Sequence, residues 1–252
     1  MILIHIDITL QSERVIKLPI HYNYIIQSAI YNSISDELAE FLHNTGYCIG
    51  KRSFKLFNFS RLNGAYKLDR EDKLINFHSP LKLTISSPID YFCESLVNTL
   101  LTKGFMCFLD YKLEIENIIL RKVVVEQEKI NIKTLSPVVT YSTYLKQDGG
   151  KYTCYFHPRE PEFKRLVLDN LLKKYEILNK QDIVIDNFNI YPISKIKMNI
   201  VQYKGIIIKG YSGYFSVSGD NKLLQVMVDC GIGSKNSQGF GCIDIVNKDN
   251  KL

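Results

Sequence analysis

The sequence predicts an α+β protein whose two halves each run strand, helix, two strands, helix, strand. Two observations carry this. The N-terminus alternates strictly, Ile2, Ile4, Ile6 and Ile8 on one face and Leu3, His5, Asp7 and Thr9 on the other, as a strand requires. Apolar stripes of helical period then alternate with strand-like runs, in the same order twice along the chain.

In the first half, Tyr22, Ile25, Ile26, Ala29 and Ile30 recur at helical spacing. A second short helix starts at Ser35 as N-cap, with Asp36 and Glu37 opposing the helix dipole, and shows Leu38, Phe41 and Leu42 before Gly46 ends it. Strand-like runs follow at 54–59, 73–77 and 81–85. Ser87-Pro88 opens a third helix (Ile89, Phe92, Cys93, Leu96, Leu100) that stops at Gly104, and strands return at 105–109 and 114–125. Residues 127–133 read as a polar linker. In the second half, strands at 137–144 and 152–156 precede a helix from Pro161 (Phe163, Leu166, Val167, Asn170, Leu171), whose Lys164, Arg165, Lys173 and Lys174 read as a solvated face. Strands at 183–185, 193–201 and 206–214, a short helix with Leu223, Leu224, Met227 and Val228, and a strand at 241–246 complete it. This order is the ferredoxin-like βαββαβ plan, shared with RRM-like domains. The expected division is an N-terminal domain over 1–126 and a C-terminal one over 132–252.

Composition narrows the function. Apolar residues at 46% and charged residues at 23% fit a globular chain and exclude disordered or coiled-coil classes. The net charge of +6 is carried by 25 Lys and only 7 Arg, which suits neutralising phosphates better than reading base edges. The six cysteines form no C-x-x-C pair, so no zinc ribbon or dithiol redox site is expected, and no secretory signal or bilayer-spanning segment is found. A cytoplasmic protein with reduced thiols is the expectation, free of cofactor and metal.

The densest signal is Gly231-Ile232-Gly233-Ser234-Lys235-Asn236-Ser237-Gln238-Gly239-Phe240-Gly241. It lacks the closing Gly-Lys-Ser/Thr of a Walker loop and the chain length a dinucleotide fold would need after it. Small residues, hydroxyls, amides and Lys235 are the parts of a phosphate cradle. A long glycine turn explains them equally well. Lys195, Lys197, Lys204 and Lys209 offer a basic ribbon beside it, or simply a charged edge strand. Of the five histidines, His5, His21, His78 and His157 read as structural. His43 sits at a helix end beside Asn44-Thr45-Gly46, where a side chain reaches a surface groove.

The segment G-x-G-x-x-x-x-x-G-F-G, with Leu18-Pro19-Ile20, Tyr31-Asn32, Phe41-Leu42-His43, Lys55-Leu56-Phe57-Asn58-Phe59-Ser60 and Leu135-Ser136-Pro137, resembles the CRISPR-associated repeat-RNA endoribonucleases, the sixth Cas family, within the repeat-associated RNA-binding protein superfamily. The resemblance implies two ferredoxin-like domains. It also implies a metal-independent endoribonuclease that cuts CRISPR repeat RNA by 2′-hydroxyl attack, leaving a 2′,3′-cyclic phosphate and a 5′-hydroxyl. The alternative within the superfamily is a non-catalytic RNA-binding subunit of an effector complex.

Metal-free cleavage of this kind needs a proton-transfer group near neutrality, a cation on the phosphoryl oxygens and a group to orient the nucleophile. By resemblance these are His43, Lys55 and Tyr31. Lys51 or Arg52 lies close enough to take the cation's place, and the stretch from His43 to Lys55 is longer than the family leads one to expect. The implied RNA contacts are Gly231, Gly233, Ser234, Lys235, Asn236, Ser237, Gly239, Phe240 and Gly241 of the loop, with Lys195, Lys197 and Arg52. The implied partner is CRISPR repeat or precursor guide RNA, bound by a monomer or homodimer with or without an effector complex.

Overall fold

A computed structural model describes residues 4–183, 185 and 187–246. The first half comprises β1 (Ile4–Gln11), β2 (Ile16–Pro19), α1 (Asn23–Tyr31), α2 (Asp36–Asn44), β3 (Tyr47–Ile49), β4 (Arg52–Phe54), β5 (Asn58–Phe59), β6 (Asn63–Asp69), β7 (Leu74–Ser87), α3 (Asp90–Lys103), β8 (Phe105–Phe108) and β9 (Tyr111–Lys122). β1 lies between β7 and β9, antiparallel to both. β7 carries β1 and β2 along one edge and β5 and β6 along the other, since Ile75 pairs with both Leu18 and Leu68. Counting β5 and β6 as one position, the order is 4-1-3-2, which is the ferredoxin-like sheet.

Sequence explains where the helices begin and end. Asp90 stands in the first turn of α3, and Gly104 adopts φ 72° to stop it while donating to the Leu100 carbonyl. The buried stripe Phe92, Cys93, Leu96 and Leu100 packs with Ile6, Ile8 and Leu10 of β1 in one core. The opposite face of β1 carries His5 and Asp7 and meets the second half.

The second half comprises β10 (Lys129–Thr134), β11 (Tyr141–Leu145), β12 (Lys151–Tyr155), α4 (Pro161–Asn179), β13 (Asn189–Pro192), β14 (Lys197–Tyr203), β15 (Ile206–Ser212), β16 (Tyr214–Ser218), α5 (Asn221–Cys230) and β17 (Ile243–Ile245). Its sheet runs β13-β16-β10-β17, again 2-3-1-4. Two hairpins, β11–β12 and β14–β15, are inserted into this plan.

Several sequence expectations need correction. The supposed linker 127–133 contains the central strand β10, because Ile130 and Ile132 are buried between exposed Lys129 and Asn131. Runs 73–77 and 81–85 are one 14-residue strand, β7. The run 54–59 splits into β4 and β5 around a turn. The run 193–201 divides between the end of β13's loop and β14, and 206–214 breaks at Gly213, where an added Cβ would lie 2.6 Å from Ile196 Cδ1. β6 and β16 went unrecognised. Ile2, Leu3 and Val184 lie outside the described residues, and neither Ile183 nor Ile185 is in a strand.

The halves meet through polar groups. Arg121 of β9 bridges Asp7 of β1 and, at 3.4 Å, Asp244 of β17. Asn58 Nδ2 and Ser86 Oγ each donate to the Asp229 carbonyl at 3.0 Å. The Asp229 carboxyl itself is buried, accepting from Gln225 alone among the described residues, and burial pushes it up to about 7. The unfolded carboxyl ionises near the ordinary 3.8, so its contribution is most favourable at acid pH and declines as pH rises through 7. Asp229→Asn is therefore expected to raise the urea midpoint at pH 8 and to leave it nearly unchanged at pH 4; equal gains at both pH values would refute the assignment.

Candidate functional site

The three sequence-predicted groups sit on α1, on α2 and just after β4. Tyr31 is the last residue of α1, half-buried, with its ring edge-on to Phe57 at 5.9 Å between centroids. Burial pushes its hydroxyl up to about 12, so it is protonated throughout the neutral range. His43 lies in the last turn of α2, exposed, its Nδ1 2.9 Å from Asn44 Oδ1. Lys55 follows β4, and its Nζ donates to the His43 carbonyl at 3.3 Å. Gly46 makes this approach feasible: it adopts φ 67°, and a Cβ there would sit 2.7 Å from the Phe54 carbonyl and 3.0 Å from Lys55 Cδ. Burial lowers the Lys55 pKa. Lys55 thus meets the His43 backbone, and Tyr31 is tied to the Lys55 segment through Phe57, while the His43 ring hydrogen-bonds to neither. Of the competing cations, Lys51 is exposed in the β3–β4 turn and Arg52 lines the adjacent cleft.

That cleft, about 660 Å³, opens between residues 52–57 of the first half and β11, α4 and the glycine-rich loop of the second. Its charged lining is Arg52, Lys55, Lys174 and Lys235, with no carboxylate. Lys235 lies 5.2 Å from the Tyr141 ring centroid and has its pKa lowered by burial.

The glycine-rich loop is a knot rather than an open cradle. Lys174, in α4, is 1% exposed, and its ammonium donates to the Gly231 carbonyl at 2.8 Å and to Asn236 Oδ1 at 2.7 Å. The Asn236 amide in turn donates to the carbonyls of Ile232 (3.1 Å) and Phe240 (3.0 Å), closing a ring. Ser234 N donates to Val139 O, and Gly241 N to Pro137 O. From the first half, α1 reaches over: Asn23 Nδ2 donates to the Gln238 carbonyl at 2.9 Å and Gln27 Nε2 to the Ser237 carbonyl at 2.7 Å.

This geometry corrects the expected contact set. Phe240 is fully buried with Val139, Val201, Tyr203 and Ile208, and the Asn236 side chain is spent inside the loop. Gly231, Gly233, Gly239 and Gly241 are buried spacers, whereas Ser234, Lys235 and Ser237 line the cleft. Lys195 lies outside β14, and Lys197 begins it. The outer face of that hairpin is Met198, Ile200 and Ile207 with Lys209, so the four lysines form no common ribbon. Lys174, assigned from sequence to a solvated face, is the most consequential miss. Its signal was present: the stripe Phe163, Val167, Asn170 and Leu171 continues at helical spacing to position 174.

Comparison with known proteins accounts for nearly the whole chain. Residues 17–119 match the family described as "CRISPR-associated protein Cas6, N-terminal", and residues 120–245 match "CRISPR associated protein Cas6, C-terminal". A curated relative, the CRISPR-associated endoribonuclease Cas6 1 of Methanocaldococcus jannaschii, is 30% identical across 98% of this chain and 93% of its own length. The CRISPR-associated endoribonuclease Cas6 of Pyrococcus furiosus is 28% identical across 92% and 85%. A solved structure titled "CRISPR associated protein Cas6" superposes with a TM-score of 0.79 at 27% identity, covering 97% of this chain and all of that one.

Gly239 tests the knot. It adopts φ 82°, and a Cβ would fall 2.6 Å from the Phe59 ring and 2.7 Å from Asn23 Nδ2. Gly239→Ala is expected to cost about 1–3 kcal/mol in chemical denaturation and to expose the 231–241 segment to protease; unchanged stability and protection would contradict the packing described.

Proposed function

The chain belongs to the Cas6 family of CRISPR-associated endoribonucleases and acts on CRISPR repeat RNA; from that premise we propose how its own residues cut the strand, without a metal ion. The 2′-hydroxyl beside the scissile phosphate gives up its proton and attacks phosphorus. The bond to the 5′-oxygen breaks, and that oxygen takes a proton, leaving a 2′,3′-cyclic phosphate and a 5′-hydroxyl. His43 transfers the proton, a task typically worth about 10²–10⁴-fold. The Lys55 ammonium meets the charge growing on the phosphoryl oxygens. Tyr31, protonated at neutral pH, donates a hydrogen bond that orients the nucleophile rather than removing its proton.

What carries this reading is the position of Lys55: its ammonium sits 3.3 Å from the His43 carbonyl and also lines a cleft that holds cations and no acid. A backbone phosphate entering that cleft comes to the His43–Lys55 end. The exposed His43 ring has freedom to turn toward it, in keeping with proton-transfer bonds that tighten only on a bound substrate. Ser234, Lys235, Ser237 and Arg52 along the cleft hold the neighbouring backbone. The six unpaired thiols suit a reducing cytoplasm.

The test is cleavage of cognate repeat RNA in EDTA. Wild type is expected to yield a cyclic phosphate terminus. His43→Ala should slow cleavage by roughly 10²-fold or more with RNA affinity within twofold, and Lys55→Ala should lower the rate without abolishing binding. Intact RNA with wild type under these conditions would favour the non-catalytic RNA-binding reading, and an unimpaired His43→Ala would remove this histidine from the reaction.

A further inference from the structure

Lys174 is a fully buried ammonium with only neutral acceptors. Besides Gly231 O and Asn236 Oδ1, the carbonyls of Cys230 and Gly233 stand at 3.5 Å, and among the described residues it has no ion-pair partner. Such a group is costly. Taking an ammonium out of water costs several kcal/mol, which neutral acceptors offset only in part. Two features of the site say what the cost supports. First, Lys174 orients Asn236: because Oδ1 accepts from the ammonium, Nδ2 is turned to the Ile232 and Phe240 carbonyls, which fixes the loop and leaves Ser234, Lys235, Ser237 and Gln238 half-exposed along the cleft. Second, the cleft in front of Lys174 is lined by cations and no carboxylate, so an anionic ligand entering it would supply the counter-charge.

We infer that Lys174 is a positioning residue for RNA binding, a buried ammonium that holds loop 231–241 in its receptive shape and finds its counter-charge in the backbone of the bound RNA. The inference rests on the RNA-binding reading above. It has a titration signature. Burial lowers the Lys174 pKa to about 8, and the groups that face it do not offset this: the Cys230 thiol is held protonated, pushed up to about 12 by burial, Arg52, Lys55 and Lys235 are cations, and the neighbouring Asp229 carboxyl accepts from Gln225. A bound phosphate favours the protonated form and raises this pKa. RNA binding therefore takes up a proton above pH 8, and affinity falls as pH rises through that value.

The experiment measures the affinity of non-cleavable repeat RNA from pH 7 to 9.5 at constant ionic strength, together with cleavage kinetics at pH 7. Wild type should lose affinity by about tenfold per pH unit above 8, the slope of one linked proton. Lys174→Arg, which stays charged, should flatten that slope. Lys174→Met should weaken binding at pH 7 by roughly tenfold or more and raise KM, with kcat at saturating RNA within about threefold, since no reacting group is removed. The inference is overturned if Lys174→Met binds as wild type does, or if Lys174→Arg keeps the wild-type slope. Should Lys174→Met fail to fold, the slopes of wild type and Lys174→Arg decide the matter alone. Absence of any RNA binding by wild type would instead bring down the functional reading on which the inference stands.

Discussion

The architecture around the cleft depends on one ammonium placed where water cannot reach it. Lys174 projects from α4 into a ring of backbone carbonyls at the junction of α5 and the glycine-rich loop. A loop with four glycines in 11 residues has high conformational entropy when free. Asn236, bridging Lys174 to the carbonyls of Ile232 and Phe240, converts it into a defined surface. The glycines are needed for compactness. At Gly241 a Cβ would fall 2.0 Å from the Ile232 carbonyl, and at Gly233 2.5 Å from the Val139 carbonyl. Close backbone approach, rather than exposed N–H groups, is what these positions provide.

The same loop joins the halves. Asn23 and Gln27, one turn apart on α1, donate to carbonyls at 237–239, while the Tyr203 hydroxyl at the tip of β14 donates to Gln27 Oε1. Tyr24 packs edge-on against Tyr203, with the Lys204 ammonium 4.5 Å from its ring. α1 therefore serves two ends: its body grips the C-terminal loop and its last residue is Tyr31. A single helix thus links the glycine-rich loop to the segment that carries the proposed reacting groups.

The proposed cleavage needs little specialised chemistry on this frame. Burial keeps Tyr31 protonated and lowers the Lys55 pKa, while the His43 ring is exposed at a helix end. Lys55 approaches His43 because the chain turns back on itself at Gly46, through the β3–β4 hairpin, so two residues 12 positions apart in sequence come together. The β3–β4 hairpin occupies the stretch between these two residues, which the family resemblance leads one to expect shorter.

Local pattern was sufficient for much of this protein. The alternation of β1, the stripes of α1, α3 and α4, Gly104 as a helix stop and the glycine-rich segment all follow from periods and residue types that any isolated stretch displays. What local pattern could not decide was where polar residues go. Lys129-Ile130-Asn131-Ile132-Lys133 reads as a linker by composition yet forms a central strand, because β16 and β17 cover it from either side. Lys174 looks solvated in sequence and is buried in the fold, because carbonyls 56 to 59 residues further along converge on it. Phe240 reads in sequence as an RNA contact and is instead sealed under Val139 and the β14–β15 hairpin. Hydrophobic periodicity is a short-range property, readable from one element at a time. Whether a charge or a ring meets water depends on partners from distant segments, and only the assembled tertiary structure supplies them.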